Sequence, residues 1–399
     1  MALTRDQFAK LPGRVRNRII KFSMGRNTGP QWFATLSPTF AAPTQLQPNR
    51  PLQFSLPLVS IQLVLRARVT IAGASYTTGI PEAPQTLIDR ITVQGTHKRY
   101  GNQTPINISG ATAFAWQRLY QSTGNDLIIG STRSADPGMP FVQTAGITGG
   151  LIGAYDIMVG YDIPVHPFMG SGQTAKREAL PFLWDPKDWN NDLTLTCYMG
   201  DQTSLGTPAG GTTVTFGGFG GSGAPTLEVF LNQSMFGDLR NVMSQPGLVI
   251  RSEQIVAPAL TGVASNQLLN TPGLAKSVTS NLLVKTGLVL TGTSGGVNVF
   301  SALSDEQLDA TSVYVDNKPI RDVLRNYAVK NYMGSAFNTV QPQGYLLTSF
   351  VEGGSVFTAF RGDTVPGSAF FGMRTDVLTA SANNRQQFVQ EIILGGPFK

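Results

Sequence analysis

The chain has 399 residues and a formal net charge of +6; only 14% of its residues are charged, while 44 are glycine and 25 are proline. One hydrophobic core rarely fills a chain of this length, so the sequence predicts two domains built from short strands and long turns. It has no run of about 18 apolar residues and no apolar signal region near its start, so we expect no membrane-spanning helix, and synthesis in the cytoplasm.

Residues 1–50 are predicted to form a basic N-terminal arm and linker. The whole excess of positive charge lies within residues 1–26, where Asp6 is the one acidic residue. The basic residues there are Arg5, Lys10, Arg14, Arg16, Arg18, Lys21 and Arg26. Apolar residues recur among them at spacings of three and four, and Pro12 and Gly13 should divide the arm into two short helical pieces. Residues 25–50 show no sustained periodicity, which predicts an extended linker.

This basic, amphipathic arm is the candidate interaction site of the chain. Clustered lysine and arginine side chains neutralise phosphates without reading a sequence, and an interleaved apolar stripe can lie on a membrane or in a partner groove. Its candidate partners are lipid headgroups, nucleic acid or an acidic protein. The alternative is a solvated tail.

The first domain is predicted over residues 51–236, with its main helix at 111–121. Strands are expected at 53–58, 61–73, 86–94, 153–165, 191–199 and 226–232, with shorter ones near Leu127 and Leu180. The clearest is 153–165, where apolar residues alternate without interruption. The glycine- and threonine-rich segment 200–225 should be a long projecting loop.

Residues 237–246 are predicted to link this domain to a second one over residues 247–399. Its strands are expected at 248–258, 280–292, 311–316, 343–352, 355–360, 371–379 and 386–394. Its main helix is predicted at 318–333, where Pro319 suits the first turn. The apolar stripe of that helix would contain Ile320, Val323, Leu324, Tyr327 and Ala328.

The second half of the chain repeats the organisation of the first. Residues 61–73 align without a gap on residues 280–292, so that Leu63 meets Leu282 and Leu65 meets Val284. Each copy reads as a strand with one buried face, and the elements that follow come in the same order. The sequence therefore predicts an all-β protein of two tandem antiparallel eight-stranded jelly rolls, each with one main helix, plus the N-terminal arm.

The residues needed for catalysis or metal binding are scarce, so we expect neither an enzyme nor a cofactor. The two histidines, His97 and His166, lack metal-ligand spacing, and no nucleophilic serine accompanies Asp162 and His166. The glycines of 218–223 match a dinucleotide fingerprint only formally, because they lead into a strand rather than a helix. Cys197, the single cysteine, excludes an intrachain disulfide framework and is expected to be a small buried residue.

Over residues 45–395 the chain resembles the double-jelly-roll major capsid proteins of tailless icosahedral viruses, the tectivirus-like bacteriophages with an internal membrane among them. The likeness lies in the segments IQLVLRARVTI and YDIMVGYDIPV, the glycine-rich insertion before LEVFLNQSMF, and GYLLTSFVEGG. It implies a homotrimer whose six jelly rolls form a pseudo-hexagon in the shell of the virion. It further implies contacts with neighbouring trimers, penton proteins and minor capsid proteins. Segments 200–225 and 292–311 would form outer towers, and the arm would face an internal lipid membrane or the viral genome.

Two other function classes stay open from the sequence. A jelly-roll lectin or phage receptor-binding protein would use aromatic loop residues such as Trp184 and Trp189. A jelly-roll glycanase would need paired carboxylates, for which Asp185 and Asp188 are the candidates, although both residues also suit the capping of a tight turn.

Overall fold

Strands dominate the computed structural model of the chain, which describes residues 7, 10–16, 27–74, 76–79, 84–120, 152–168, 179–234, 246–256, 264–271, 277–290, 299–302, 308–315, 318–325, 345–351, 355–362, 371–377 and 384–396. The described strands of the first half are β1 (Asn27–Leu36), β2 (Thr44–Leu46), β3 (Leu58–Gly73), β4 (Tyr76–Gly79), β5 (Ile88–His97), β6 (Gly101–Ile108), β7 (Gly153–Pro164), β8 (Thr194–Met199), β9 (Gly206–Pro208), β10 (Thr212–Gly217) and β11 (Thr226–Ser234). One α-helix, α1 (Gly110–Tyr120), lies between β6 and β7 in this described part.

The described strands of the second half are β12 (Gly247–Val256), β13 (Ala264–Thr271), β14 (Val278–Leu290), β15 (Val299–Ala302), β16 (Leu308–Val315), β17 (Lys318–Arg325), β18 (Tyr345–Ser349), β19 (Phe360–Arg361), β20 (Phe371–Val377) and β21 (Asn384–Gly395). Short 3₁₀ helices occupy Gln85–Leu87, Leu180–Phe182, Pro186–Asp188, Gln202–Leu205, Phe219–Gly221 and Val356–Thr358.

The first half forms a sandwich of two layers with four main strands each, and a further strand, β10, pairs with the end of β3. In one layer the strand order is β1-β11-β3-β7, and in the other it is β2-β8-β5-β6, with antiparallel neighbours throughout. Every second side chain along β3 is buried, because alternate residues of a strand point to opposite faces. Leu63 and Val229 of the first layer share one core with Ile91 and Leu195 of the second.

The second half repeats this arrangement strand for strand. Its described layers have the orders β12-β21-β14-β18 and β13-β20-β16-β17, so β12 takes the place of β1 and β21 that of β11. Two layers of four described strands in this order constitute an eight-stranded jelly roll, and the chain contains two of them in tandem. The predicted fold class is confirmed.

The sequence repeat marks the central strand of each jelly roll. Leu63 on β3 pairs with Val229 of β11 and Tyr161 of β7. Leu282, 219 residues later on β14, pairs with Gln390 of β21 and Thr348 of β18. Both long strands therefore have a neighbouring strand on each side within their layer, β11 and β7 for β3 and β21 and β18 for β14, which is why both need an apolar inner face.

The helix predicted at 318–333 is wrong over its described part. Residues Lys318–Arg325 form strand β17, which pairs with β16 from Val315↔Lys318 to Ala310↔Arg325. Two residues, Asp316 and Asn317, separate the paired ends, and these residue types favour tight turns. The ladder contains register shifts, so apolar residues spaced by three and four fit a strand here. Residues 326–333 lie outside the described residues.

The linker predicted at 25–50 is also corrected, because it contains β1 and β2. Strand β1 is an edge strand whose register shifts between Trp32 and Ala34, so its apolar residues do not alternate with a period of two. Strand β2 has three residues, too few for a periodic signal. Residues 237–245 of the predicted linker between the domains lie outside the described residues.

Several smaller predictions change as well. The strand expected at 53–58 begins only at Leu58, and the one near Leu180 is a 3₁₀ turn that contains Pro181. The strand expected at 355–360 is a 3₁₀ turn followed by β19. The one near Leu127 lies outside the described residues.

The segment 200–225, predicted as a projecting loop, contains two paired strands. Strand β9 pairs with β4, and β10 pairs with β3 from Thr212↔Gly73 to Gly217↔Arg68. Thr207, Thr212, Thr213 and Thr215, which suggested a loop, are therefore ladder residues, because β-branched side chains fit a half-buried strand.

Candidate functional site

The two jelly rolls meet where strand β12 of the second lies parallel to strand β6 of the first. Arg251 pairs with Ile106 and Ser252 pairs with Asn107. We call this region, which includes Arg251, Glu391 and the segment 164–168 after β7, the interdomain joint. It contains the buried charged residues Arg251 and Glu391 and the buried polar residues Ser280 and Asn281.

A buried ion pair lies at the centre of the interdomain joint. Arg251 of β12 donates from Nε to Glu391 Oε2 on β21 at 2.9 Å, and its Nη2 lies 2.7 Å from the same oxygen. The remaining guanidinium donors reach the carbonyl oxygens of Pro164 and His166 in the first jelly roll. The guanidinium also lies 5.7 Å from the ring centroid of Trp116 on α1. Arg251 therefore binds both jelly rolls at once.

Glu391 has donors from both jelly rolls on its second oxygen. Oε1 accepts from Ser280 Oγ at 2.6 Å, from Asn281 Nδ2 at 2.7 Å and from the backbone N–H of Phe168 at 3.0 Å. Arg251 is 1% exposed and Glu391 is 0% exposed. Burial of two charges costs several kcal/mol per ion, and this many charge-assisted hydrogen bonds can offset that cost only in one geometry. The pair consequently specifies the relative orientation of the two jelly rolls.

A second contact across the interdomain joint is made by the carboxylate of Glu253, on β12, at the N-terminus of α1. Glu253 accepts from Ser109 Oγ at 3.0 Å, from the Ser109 N–H and from the side-chain amide of Gln387. Ser109 in turn caps the helix, because its Oγ accepts from the Thr112 N–H at 3.2 Å. A negative charge at this end of a helix is favourable, so Glu253 ties α1 to the second jelly roll.

An apolar cluster completes the interdomain joint. Phe182, 0% exposed, comes from the first jelly roll and packs among residues of the second, including Val249, Val278 and Ile393. Gly247 and Gly396 make room for its ring, since a Cβ at either position would lie under 3 Å from ring carbons. The joint therefore combines an orienting polar centre with ordinary hydrophobic burial.

His166 lies in the interdomain joint as a neutral imidazole. Burial lowers its pKa to about 4, the contact of Nδ1 with the Pro167 carbonyl oxygen at 3.1 Å opposes this shift, and the Arg251 charge adds to it. Asp162, the acid that could have formed a triad with it, is oriented by Ser60 and Asn232 instead, and burial raises its pKa. The structure therefore does not bring Asp162 and His166 together as a catalytic pair.

The aromatic residues that suggested a sugar-binding loop belong to the core. Trp184 and Trp189 are each 2% exposed, and their ring centroids lie 5.4 Å apart. His97, also buried, meets the Trp189 ring edge-on at 5.0 Å. Asp185 caps the turn between the tryptophans by accepting from the Lys187 N–H at 2.9 Å. These tryptophans present no face on which a sugar could stack.

The glycine-rich segment 218–223 is held against the first sheet by an ion pair. Arg68 donates to both oxygens of Asp156, at 2.7 and 2.6 Å, and the Gly220 N–H donates to the same carboxylate at 2.9 Å. Hydrogen bonding to Arg68 lowers the pKa of Asp156. Gly220 and Gly221 have positive φ angles of 78° and 91°, which glycine adopts without strain. The Gly220 N–H, which a phosphate-binding loop would present to a phosphate, donates to a carboxylate of the same chain instead, which argues against a nucleotide site.

Three of the seven basic arm residues lie within the described residues. Lys10 and Arg14 are exposed and Arg16 is half-buried, whereas Arg5, Arg18, Lys21 and Arg26 lie outside the described residues. The Pro12 carbonyl accepts from the Val15 and Arg16 N–H groups at 2.9 and 3.0 Å, so a helical turn begins after Pro12. Leu11 packs against the core of the first jelly roll while Val15 is 41% exposed. This part of the arm is therefore anchored through Leu11, with Lys10 and Arg14 turned to solvent.

Other chemistry is scarce in the described part of the chain. No group of three metal-ligating side chains comes together there, and no helix there has the length and apolar character to cross a bilayer. Cys197 is buried, and burial raises the pKa of its thiol to about 12, which makes it a packing residue. The prediction for Cys197 is confirmed.

Sequence reasoning missed Arg251 and Glu391. Each interrupts an apolar strand segment, LVIRSEQIV and FVQEIIL, and a charge in such a context signals burial with a partner. The sequence alone could not pair them, because 140 positions separate the two residues.

Comparisons with known proteins place the fold. No family model matches the chain, and no curated protein matches it. Among solved structures, the crystal structure of the STIV MCP has a TM-score of 0.51 at 10% identity, with 92% of this chain and 96% of that chain covered. The atomic structure of Sulfolobus turreted icosahedral virus gives a TM-score of 0.52 at 11% identity, with 91% and 89% covered. The chain thus has the double-jelly-roll fold of viral major capsid proteins.

Proposed function

We propose that this chain is a structural coat protein, the major capsid subunit of an icosahedral virus, and not an enzyme. The observation that carries the proposal is the pair of matching jelly rolls held in one orientation by the buried Arg251–Glu391 pair. A rigid double unit is what a shell lattice requires, and the fold is the one found in the STIV MCP.

The proposed assembly is a homotrimer. A closed ring of three chains with two comparable units each presents six comparable edges to its neighbours, which suits a hexagonal lattice. Its partners would be neighbouring trimers, penton proteins and minor capsid proteins. Its location would be the capsid shell of the virion, after synthesis in the host cytoplasm.

The basic arm is proposed to bind an anionic partner on the inner face of the shell. The exposure of Lys10 and Arg14 supports this proposal, as does the anchoring of Leu11 on the first jelly roll, which fixes where these charges are presented. Lipid headgroups of an internal membrane and the phosphates of a genome offer the same charge chemistry.

Light scattering of the purified chain after size-exclusion chromatography tests the proposal. We expect a mass close to three times 42.7 kDa, or larger closed particles. A species of 42.7 kDa at every concentration up to the solubility limit would contradict it.

A further inference from the structure

The strand pairing in the two jelly rolls allows residues of one to be matched with residues of the other. On the first, Trp32 of β1 pairs with Phe230 of β11, which pairs with Gln62 of β3. On the second, Arg251 of β12 pairs with Glu391 of β21, which pairs with Asn281 of β14. Gln62 and Asn281 are 219 residues apart, the offset of the sequence repeat. Trp32 is therefore the counterpart of Arg251.

These counterpart rows differ in what covers them. The row on the second jelly roll is buried under the first, as part of the interdomain joint. The row on the first jelly roll is open: Trp32 is 62% exposed, and Phe230 and Gln62 are half-buried. Strand β12 pairs with both β21 and β6, whereas among the described strands β1 pairs only with β11. The first jelly roll thus exposes the surface that the second one buries.

The opposite side of the interdomain joint also has a counterpart. On this side the joint uses residues 164–168 and 179–182 of the first jelly roll, and Trp184, two residues later, forms a bridge with Leu58. On the second jelly roll the Gly362 N–H donates to the Ser277 carbonyl, and Ser277 lies 219 residues after Leu58. The described residues between β18 and Gly362 therefore correspond to the described residues of the first jelly roll between β7 and Trp184.

This second segment carries an exposed aromatic residue. Phe182, which inserts into the second jelly roll, has Phe360 as its counterpart, two residues before Gly362. Phe360 is half-buried, and Phe357 beside it is 65% exposed on a 3₁₀ turn that Ser355 caps. Phe357 and Trp32 are the two most exposed large apolar residues among the described residues, and they lie on the two counterpart surfaces.

We propose that a second copy of the chain binds here, so that the Trp32 surface of one subunit packs against the Phe357 segment of the next. This inference rests on the proposed trimer and names the surfaces that form it. The contact repeats the interdomain joint between chains, with β1 beside β17 of the partner in the place of β12 beside β6. It is heterologous, and it closes after three subunits if each joint turns the chain equally.

The residues at the counterpart positions differ in the way expected for a contact within one chain and a contact between chains. Within the chain the jelly rolls are tethered, so a polar centre that specifies orientation suffices. Between chains the contact must supply affinity, and buried tryptophan and phenylalanine provide the largest contributions at protein interfaces. This explains why Arg251 and Glu391 have Trp32 and Phe230 as counterparts.

Cysteine cross-linking tests the contact. Cys197 is buried, so the chain without added cysteines should give no cross-linked product. The double variant Trp32→Cys, Phe357→Cys, treated with a short bismaleimide, should yield a covalent trimer under denaturing electrophoresis. A mixture of the two single variants should yield covalent dimers, and either single variant alone should yield none, because the contact joins two different surfaces.

Charge variants test the energetics of the same contact. Trp32→Glu and Phe357→Glu should each weaken every subunit contact by at least about tenfold, and the overall trimerisation constant by about a thousandfold. Tyr198→Glu is the control, since Tyr198 is 36% exposed on β8, which belongs to the other layer of the first jelly roll from β1. Circular dichroism and thermal melting of the monomer should be unchanged in all three.

The outcomes separate this inference from the proposed function. A wild-type trimer that neither cross-links through these positions nor weakens in the charge variants would overturn the inference and leave the coat function intact. Symmetric dimers from a single cysteine variant would also overturn it. A wild-type chain that stays monomeric would overturn both.

Discussion

Trp32 and Arg251 occupy the same ladder position in the two jelly rolls, yet Trp32 is 62% exposed while Arg251 is 1% exposed. The difference follows from what each strand edge meets, because β12 lies against β6 and β1 has no such neighbour among the described strands. The second jelly roll thus uses this surface in the interdomain joint, and the first jelly roll leaves the corresponding Trp32 surface exposed for the proposed contact with another subunit.

Removal of one partner of the buried ion pair should be more harmful than removal of both. Glu391→Ala leaves Arg251 charged and buried, and we expect a loss of about 3–5 kcal/mol in the free energy of unfolding. The double variant Arg251→Met, Glu391→Leu should recover most of that loss. Urea unfolding measures both, and equal losses in the single and double variants would contradict the cost assigned here to the unpaired Arg251 charge.

The interdomain joint should weaken in mild acid because of His166. Its pKa is about 4 in the folded chain and near 6.5 when unfolded, so between these values the unfolded state binds more protons. Stability should therefore fall as the pH drops from 6.5 to 4, by an amount on the order of 3 kcal/mol. Denaturation midpoints across this window should flatten in His166→Gln, and an unaltered slope would refute this assignment.

Protonation of the Asp156 carboxylate should lower the stability at a lower pH than protonation of His166 does. Hydrogen bonding to Arg68 holds its folded pKa below the ordinary value, so its contribution is complete above about pH 4 and is lost as the pH falls through the folded pKa. Asp156→Asn should remove this acid-dependent part and leave the slope between pH 4 and 6.5 unchanged. If Asp156→Asn changed the stability slope only between pH 4 and 6.5, the assignment of the loss at lower pH to Asp156 would be wrong.

The glycines near Asp156 provide a matched pair of substitutions. Gly223 has a φ of 78° with open space around it, so Gly223→Ala should cost only the left-handed backbone penalty of about 1–2 kcal/mol. Gly221 has a φ of 91°, and a Cβ there would lie 2.5 Å from Arg68 Nη1. Gly221→Ala should therefore cost more than Gly223→Ala in urea unfolding, and Asp156→Asn should reduce the difference between them.

Removal of residues 1–26 should leave the jelly rolls folded and abolish binding to the anionic partner. Co-sedimentation with anionic vesicles, and fluorescence anisotropy with single- and double-stranded DNA, would show which partner is lost. The double variant Lys10→Gln, Arg14→Gln should weaken the same binding and reduce its salt dependence, because each phosphate contact releases counterions. Unchanged binding to both partners in the deletion would refute the role of the arm.

The sequence could predict those strands whose signal is local. Leu63 and Leu282 lie in long alternating runs, because β3 and β14 are central strands with one buried face, and their repeat disclosed the tandem jelly rolls. Strand β1 was not predicted because the register shift at Phe33 breaks the alternation of apolar and polar residues. Strand β17 was predicted as a helix because eight residues are too few to distinguish the helical period of 3.6 from the strand period of two. Its pairing with β16, which is not visible in the sequence, makes it a strand.

The candidate site was harder to predict than the fold because its partners are distant in sequence. Arg251 and Glu391 are each visible as a charge in an apolar strand, but their pairing and their contacts with the segment 164–168 depend on the docking of the two jelly rolls. Conversely, the sequence suggested that Trp184 and Trp189 were available for binding because both were expected in a loop, and only the packing of the two rings shows that they belong to the core.

Electron microscopy of the purified chain tests the central claim most directly. If the chain is a coat subunit that closes head to tail through the Trp32 and Phe357 surfaces, class averages should show a threefold particle with six similar lobes. Isolated two-lobed particles, or a symmetric dimer joined through one surface, would contradict it.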